Sequence, residues 1–350
     1  MPSPVAGARR RMPSKEDSPV PSTDVSQNRS DAEPVAVTIG MPTYNAEDRI
    51  LRSIDSLLAQ NFSDFELIIS DNASTDNTQQ VCKKAAASDA RIKYIRQPEN
   101  LGQLGNFNYV IQAASGRYFM WAHDDDIYDA RFISTLKPIL DQNPDVGYVM
   151  STINRVDENG NTVGYDRWTN TDDPGNMSKL RHALTVANGF SNRKRYHLFM
   201  FSLFRTPLIQ AASPYGRYEV AHPDRLFMTQ LALASAARFV DAPYYIRTVH
   251  QESMNQRLPD ETPNARINSD PWGYTRTVLA LVPYLLRSRI IRRSEKLTVP
   301  ILFIAMAYSY RHHLYQGNSP LVKIISVPYR KVRRIGAILL RRKSNTPPLG

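Results

Sequence analysis

The sequence predicts an α/β protein whose sheet is mostly parallel and flanked by helices. Three observations carry that prediction. From residue 35 onward, apolar runs of strand length alternate with stretches that place apolar residues at helical spacing. Each of the first four apolar runs stops in a polar cluster. The fourth, Arg117-Tyr118-Phe119-Met120-Trp121-Ala122, runs through His123 into three successive carboxylates, Asp124, Asp125 and Asp126. Strands alternating with helices imply right-handed βαβ units.

In order, Val35–Met41 is a β-branched run that reads as a first buried strand, ended by Pro42-Thr43-Tyr44-Asn45. Ile50, Leu51, Ile54, Leu57 and Leu58 then share one helical face. Phe65–Ser70 is a second strand, stopped by Asp71-Asn72-Ala73-Ser74-Thr75-Asp76, whose last three residues can cap a helix running to about Ser88. Ile92–Ile95 is a third strand, followed by Asn100-Leu101-Gly102 and a helix that stops at Gly116. The acid-tipped run is the fourth strand.

Ligands of such sheets bind outside the carboxyl ends of the strands. Here Thr43, Tyr44 and Asn45, then Asp71 and Asn72, then Asn100, then Asp124 to Asp126 all fall at those ends, which implies one composite site. Adjacent carboxylates repel one another, and an all-oxygen cluster suits Mg²⁺ or Mn²⁺. No Gly-rich dinucleotide fingerprint or phosphate-binding P-loop follows the first strand.

Composition bounds the rest. The 350 residues suffice for a core with appendages, and the one cysteine, Cys82, excludes an intramolecular disulfide. Residues 1–34 are rich in Pro, Ser and mixed charge and are expected to be disordered. No secretory signal follows Arg9-Arg10-Arg11, and the longest apolar run, Leu297–Tyr310, is too short to span a membrane. From Leu285 to Gly350 there are 14 Lys and Arg against one acid, a net +13, so the chain before it sums to −2 of the total +11. That basic, partly amphipathic tail fits an anionic membrane surface.

The ordered series of Pro42-Thr43-Tyr44-Asn45, Asp71 to Asp76, Asn100-Leu101-Gly102 and the Asp cluster resembles the family 2 glycosyltransferases of GT-A fold, over about residues 35–150 and more loosely to about 255. The resemblance implies an inverting, metal-dependent transfer of a sugar from a nucleotide-diphosphate donor to the hydroxyl of a glycan or lipid-linked acceptor, in surface polysaccharide or glycolipid synthesis. Pro42, Thr43, Tyr44, Asn45, Asp71, Asn100 and Asp124 would bind the nucleotide, with Thr43 and Tyr44 flanking the base and Asp71 accepting from its ring. Asp125 and Asp124 would hold Mg²⁺ or Mn²⁺, joined by His250, which could otherwise bond the diphosphate. His123 stands where many members carry the first Asp of a DxD motif, as a weak ligand or as a ring packed at the strand end. Asp126 is a further candidate ligand, or the cap of the helix that follows.

Later segments supply the acceptor side. Val146–Arg155 reads as a strand, Glu158-Asn159-Gly160-Asn161 as a hairpin turn, and Trp168–Gly175 as a loop whose indole could stack on a sugar. Phe199–Arg205 reads as a strand and Asp224–Ala234 as a helix. By resemblance Asp224 is the general base, with Glu219 as a second candidate because Pro223 breaks the usual acidic pair. Arg247 is a further phosphate candidate. The expected division is 1–34 disordered, 35–155 the nucleotide-sugar half, 156–275 the acceptor half and 276–350 the basic helical tail, in a cytoplasmic protein peripheral to the inner face of the membrane.

Two rivals are weaker. A GT-A-like nucleotidyltransferase would carry a Gly-rich basic loop after the first strand, and Pro42–Asn45 is not one. A non-catalytic membrane- or nucleic-acid-binding protein would leave the acidic rim unexplained, and carboxylates repel a phosphate backbone, so no nucleic-acid partner is expected.

Overall fold

Strand β1 (Val37–Thr43) lies between two parallel neighbours, β2 (Phe65–Asp71) and β4 (Tyr118–Trp121), with β3 (Ile92–Arg96) outside β2. Every residue of β1, β2 and β4 is buried, as expected of parallel strands covered on both faces. The covers include α1 (Ile50–Leu58), α2 (Thr78–Ser88) and α3 (Gly102–Ala113). A Cβ on Gly40 would meet Val110 at 2.8 Å and Phe119 at 2.9 Å, so glycine lets α3 lie directly on β1 there.

The computed structural model describes residues 35–168, 173–187, 200–216, 220, 222–249 and 273–309. Residues 1–34, Phe199, Glu219, His250, the middle of the Trp168 loop and the tail from residue 310 lie outside the described residues.

Beyond β4 the chain forms β5 (Ile127–Tyr128), α4 (Phe132–Gln142), the long β6 (Val146–Val156) and β7 (Thr162–Asp166), which pairs antiparallel with β6 across a turn at Gly160. Then follow α5 (Lys179–Ala187), β8 (Leu203–Arg205), α6 (Thr206–Ala212), α7 (Pro223–Ala234) and β9 (Ala236–Thr248). Helices α8 (Gly273–Leu286), α9 (Arg293–Lys296) and α10 (Val299–Ser309) complete the described chain. Among the described residues no helix is long and apolar enough to cross a membrane.

Among the described residues nine strands form one mixed sheet of order β3-β2-β1-β4-β8-β6-β9-β5, with β7 branching from β6. β8 is antiparallel to both β4 and β6, whereas β6 and β9 run parallel. The chain steps outward from β1 through β2 to β3 and then returns to the other side of β1 as β4. That reversal opens a crevice at the carboxyl ends of β1 and β4. The distal end of β9 comes back to the same place, because Ile127 and Tyr128 of β5 pair with Ile246 and Tyr245.

Two expectations change. Of the strand read over Phe199–Arg205, the described residues 200–205 form a strand only at Leu203–Arg205; Phe201 instead packs its ring against those of His123 (centroids 4.3 Å apart) and Tyr245 (5.6 Å). Trp168 is not a sugar platform: its indole is 3% exposed, lies 3.0 Å from the Met150 sulfur and packs edge-on to His182.

Candidate active site at the acid turn

The crevice begins where the β1–β4 ladder ends. Gly40 accepts from the Ala122 amide on the β4 side and Thr43 accepts from the Asn72 amide on the β2 side. By alternation Pro42 faces β4, beyond the last paired residues, Gly40 and Trp121. A residue without an N–H is tolerated where no partner strand continues.

The loop after β1 is fastened to the loop after β2. Asn45, in the left-handed region at φ 48°, donates its amide to Ser74 Oγ (3.0 Å) and accepts from the Thr75 amide on Oδ1 (2.9 Å). The Ala46 amide donates to Thr78 Oγ1 at 2.7 Å. Asp71 is fully buried: Oδ1 accepts from the Ser74 amide, and Oδ2 from the Tyr94 hydroxyl (2.6 Å) and Arg96 Nη1 (3.0 Å). Burial and the adjoining Asp71 charge raise the Tyr94 phenol, so it stays the donor. Asn72 donates to Asn100 Oδ1 (2.8 Å) and accepts from the Leu101 amide, which ties the third rim loop to the second.

The acid turn faces these loops from β4, and its three carboxylates have three different surroundings. Asp124 accepts from Thr43 Oγ1 at 2.6 Å and from Arg49 Nε at 3.2 Å, while the same guanidinium donates to the Asn45 and Tyr44 carbonyls. Asp125 lies with Oδ1 3.6 Å from His123 Nδ1, and its backbone carbonyl accepts from Thr248 Oγ1 (2.9 Å) and Arg52 Nη2 (3.3 Å). Asp126 is 1% exposed and held from β9 by the Tyr245 hydroxyl and the Thr248 amide (3.0 Å).

Among the described residues, His123, Asp125 and Asp126 bring one ligand atom each within 4.8 Å of one another. One imidazole nitrogen and two carboxylates fit a divalent cation, and the carboxylates favour Mg²⁺ or Mn²⁺. Burial, then the charge of Asp125, pushes the Asp126 carboxyl up to about 6. Burial disfavours the His123 imidazolium, but the bond to Asp125 and the surrounding Asp126, Asp125 and Asp124 charges outweigh it and raise its pKa. A site with this surplus of negative charge attracts a cation.

The structure thus joins Thr43 to Asp124 and Asn72 to Asn100. It gives Asp124 an arginine and a threonine as partners and converges His123 and Asp126, rather than Asp124, on Asp125. Asp126 caps no helix: β5 follows it directly, and α4 begins at Phe132 after Arg131. Asp224 stands in the first turn of α7. Because α7 ends just before β9, which runs parallel to β6, the helix descends from the carboxyl rim, and its 12 residues, about 18 Å long, leave Asp224 at the rim end. Tyr215 is buried close to it and its phenol is raised by burial and by the Asp224 charge.

Sequence reasoning missed Arg49, Arg52, Tyr245 and Thr248. The two arginines did leave a signal, since cations at a helix start oppose the helix dipole and need a nearby carboxylate.

Residues 38–209 match the model of glycosyl transferase family 2. This stretch of the chain belongs to that family. Its relatives include an Escherichia coli protein named UDP-Glc:alpha-D-GlcNAc-diphosphoundecaprenol beta-1,3-glucosyltransferase WfgD, 40% identical over 94 residues, or 27% of this chain and 36% of that protein. Another is the Campylobacter jejuni GalNAc(5)-diNAcBac-PP-undecaprenol beta-1,3-glucosyltransferase, 35% identical over 101 residues, 29% of this chain and 33% of that one. The chain thus spans about a third of the length of these two relatives. Residues 1–349 of S. aureus TarS, solved with UDP-GlcNAc, match at TM-score 0.58 and 20% identity over 80% of this chain and 73% of that one, a likeness that identifies the GT-A fold.

Proposed function

We propose that this chain transfers a sugar from a nucleotide-diphosphate donor to an acceptor hydroxyl with inversion at the anomeric carbon. The observation that carries the reading is the acid turn at the crevice between β1 and β4, within residues matched to glycosyl transferase family 2. Residues 35–155 form the donor half. Pro42, Thr43, Tyr44 and Asn45 line the base and ribose, Asp71 and Asn100 shape the base end, and Asp124, steadied by Thr43 and Arg49, faces the nucleotide.

Mg²⁺ or Mn²⁺, held by Asp125 with His123, Asp126 and His250, would supply positive charge to the departing diphosphate. Residues 156–275 form the acceptor half. There Asp224 takes the proton of the attacking hydroxyl as the new glycosidic bond forms and the bond to the diphosphate breaks. Arg247 adds positive charge near the leaving group.

The acceptor class we favour is a lipid-linked glycan, in surface polysaccharide or glycolipid synthesis, as the names of the Escherichia coli and Campylobacter jejuni relatives suggest. The basic segment 276–350 would then hold the protein against the anionic inner face of a membrane. The test is transfer of label from UDP-, GDP- and dTDP-sugars into a lipid extract with Mn²⁺ present. We expect one donor to label the lipid fraction with the wild type and none with Asp224→Asn. No labelling from any donor by folded protein, or full labelling by Asp224→Asn, would overturn the reading.

A further inference from the structure

We infer that Arg52 is a positioning residue for the cation site, acting through Thr248 as a brace between the acid turn and the end of β9; the inference rests on the cation site proposed above. Arg52 lies in the first turn of α1, outside the ring of candidate ligands. One of its nitrogens, Nη2, donates both to the Asp125 carbonyl (3.3 Å) and to Thr248 Oγ1 (3.1 Å). Thr248 Oγ1 in turn donates to the same Asp125 carbonyl at 2.9 Å, and the Thr248 amide holds Asp126 Oδ1 at 3.0 Å. Three segments far apart in sequence therefore meet on one carbonyl, between the two carboxylates that converge with His123.

The brace fixes backbone rather than side chain. The Asp125 carbonyl sets the direction in which residues 125 and 126 leave the strand, and hence the separation of their carboxylates. Groups that orient metal ligands in this way are typically worth about 10- to 100-fold in metal affinity.

A brace and a bare charge predict opposite signs. Arg52 is a cation near three carboxylates, so if it acted only through its field, removing it would tighten binding of a divalent ion. As a brace, its removal loosens binding.

The experiment is titration of the full chain with Mn²⁺ alone, read by the electron paramagnetic resonance of free Mn²⁺, alongside thermal unfolding. Arg52→Met should weaken Mn²⁺ binding about 10-fold or more, and Thr248→Val should weaken it comparably. The double variant should be little worse than either single one, because both act on one carbonyl. Arg131→Met, which removes an exposed arginine paired with Asp129 away from the site, should leave binding unchanged. Unchanged or tighter binding in Arg52→Met and Thr248→Val, with the wild type binding Mn²⁺, would overturn the brace and leave the cation site standing. A wild type that binds no Mn²⁺ would overturn the cation site, and the brace with it.

Discussion

Arg49 and Asp124 form an ion pair at 3.2 Å across the mouth of the crevice, with Arg49 30% and Asp124 9% exposed at their side chains. The pair splits the acidic turn into two parts. Asp124 is neutralised from the β1 side, while Asp125 faces His123 at 3.6 Å and Asp126 is held from β9 by Tyr245 and the Thr248 amide. We predict that Arg49→Met lowers stability by about 1 kcal/mol, since the arginine is partly exposed and Thr43 still donates to Asp124 in its absence. The same variant should tighten Mn²⁺ several-fold by removing a competing charge, which separates it from Arg52→Met.

Asp224 is placed at the rim by a helix start rather than by contact with the acid turn. If it is the base, Asp224→Asn should lower kcat by about 10²- to 10⁴-fold. Nucleotide affinity should stay within about twofold, because the donor half is untouched. Steady-state kinetics together with UDP titration read both numbers; equal losses in the two would point to a binding role.

At the opposite end of the sheet Glu66 is a buried carboxylate, 4% exposed at its side chain, that accepts from Thr38 Oγ1, Ser115 Oγ and Lys93 Nζ. Burial alone would raise its pKa, but the bonds from Lys93, Thr38 and Ser115 prevail and hold it below the ordinary 4.5. A carboxyl depressed on folding stabilises above its unfolded pKa, and that contribution fades as pH falls through the folded one. Glu66→Gln should therefore cost about 1–3 kcal/mol at pH 7. The difference from wild type should shrink below about pH 4.5, read by denaturant unfolding across pH.

His182 has the converse role. It is 2% exposed, between Tyr148 and Trp168, with no hydrogen-bond partner for Nε2 among the described residues. Burial pushes its pKa from 6.5 down to about 3. The unfolded chain binds a proton that the folded one refuses between those values, so stability falls as pH drops through that window. Replacement by phenylalanine, His182→Phe, should flatten this acid loss; an unchanged slope would mean that other groups set it.

The fold was legible where burial is two-sided. Continuous apolar runs such as Tyr118–Ala122 leave little choice but a central parallel strand, and the polar stops after them marked the rim. β8 and β9 were harder to read. β8 has only three residues, and β9 spends 13 residues half-buried with no clean alternation, so pairing decided their extent. At the site, Thr43, Asp71 and the acid turn stood out because polar groups at strand ends need a reason. The division of labour among Asp124, Asp125 and Asp126 was not readable, because it is set by partners 75 to 122 positions away, Arg49, Thr248 and Tyr245. Adjacent identical residues carry no sign of which one will face which neighbour.

The central claim is a cation-dependent nucleotide site at the acid turn. Its most direct test is calorimetric binding of UDP, GDP and dTDP to the full chain, with Mn²⁺ and then with EDTA, for the wild type and Asp125→Ala. We predict that one nucleotide binds with Mn²⁺, that EDTA abolishes its binding, and that Asp125→Ala removes it while the protein stays folded. Equal binding with EDTA and in Asp125→Ala, or no binding of any of the three by folded wild type, would contradict the claim.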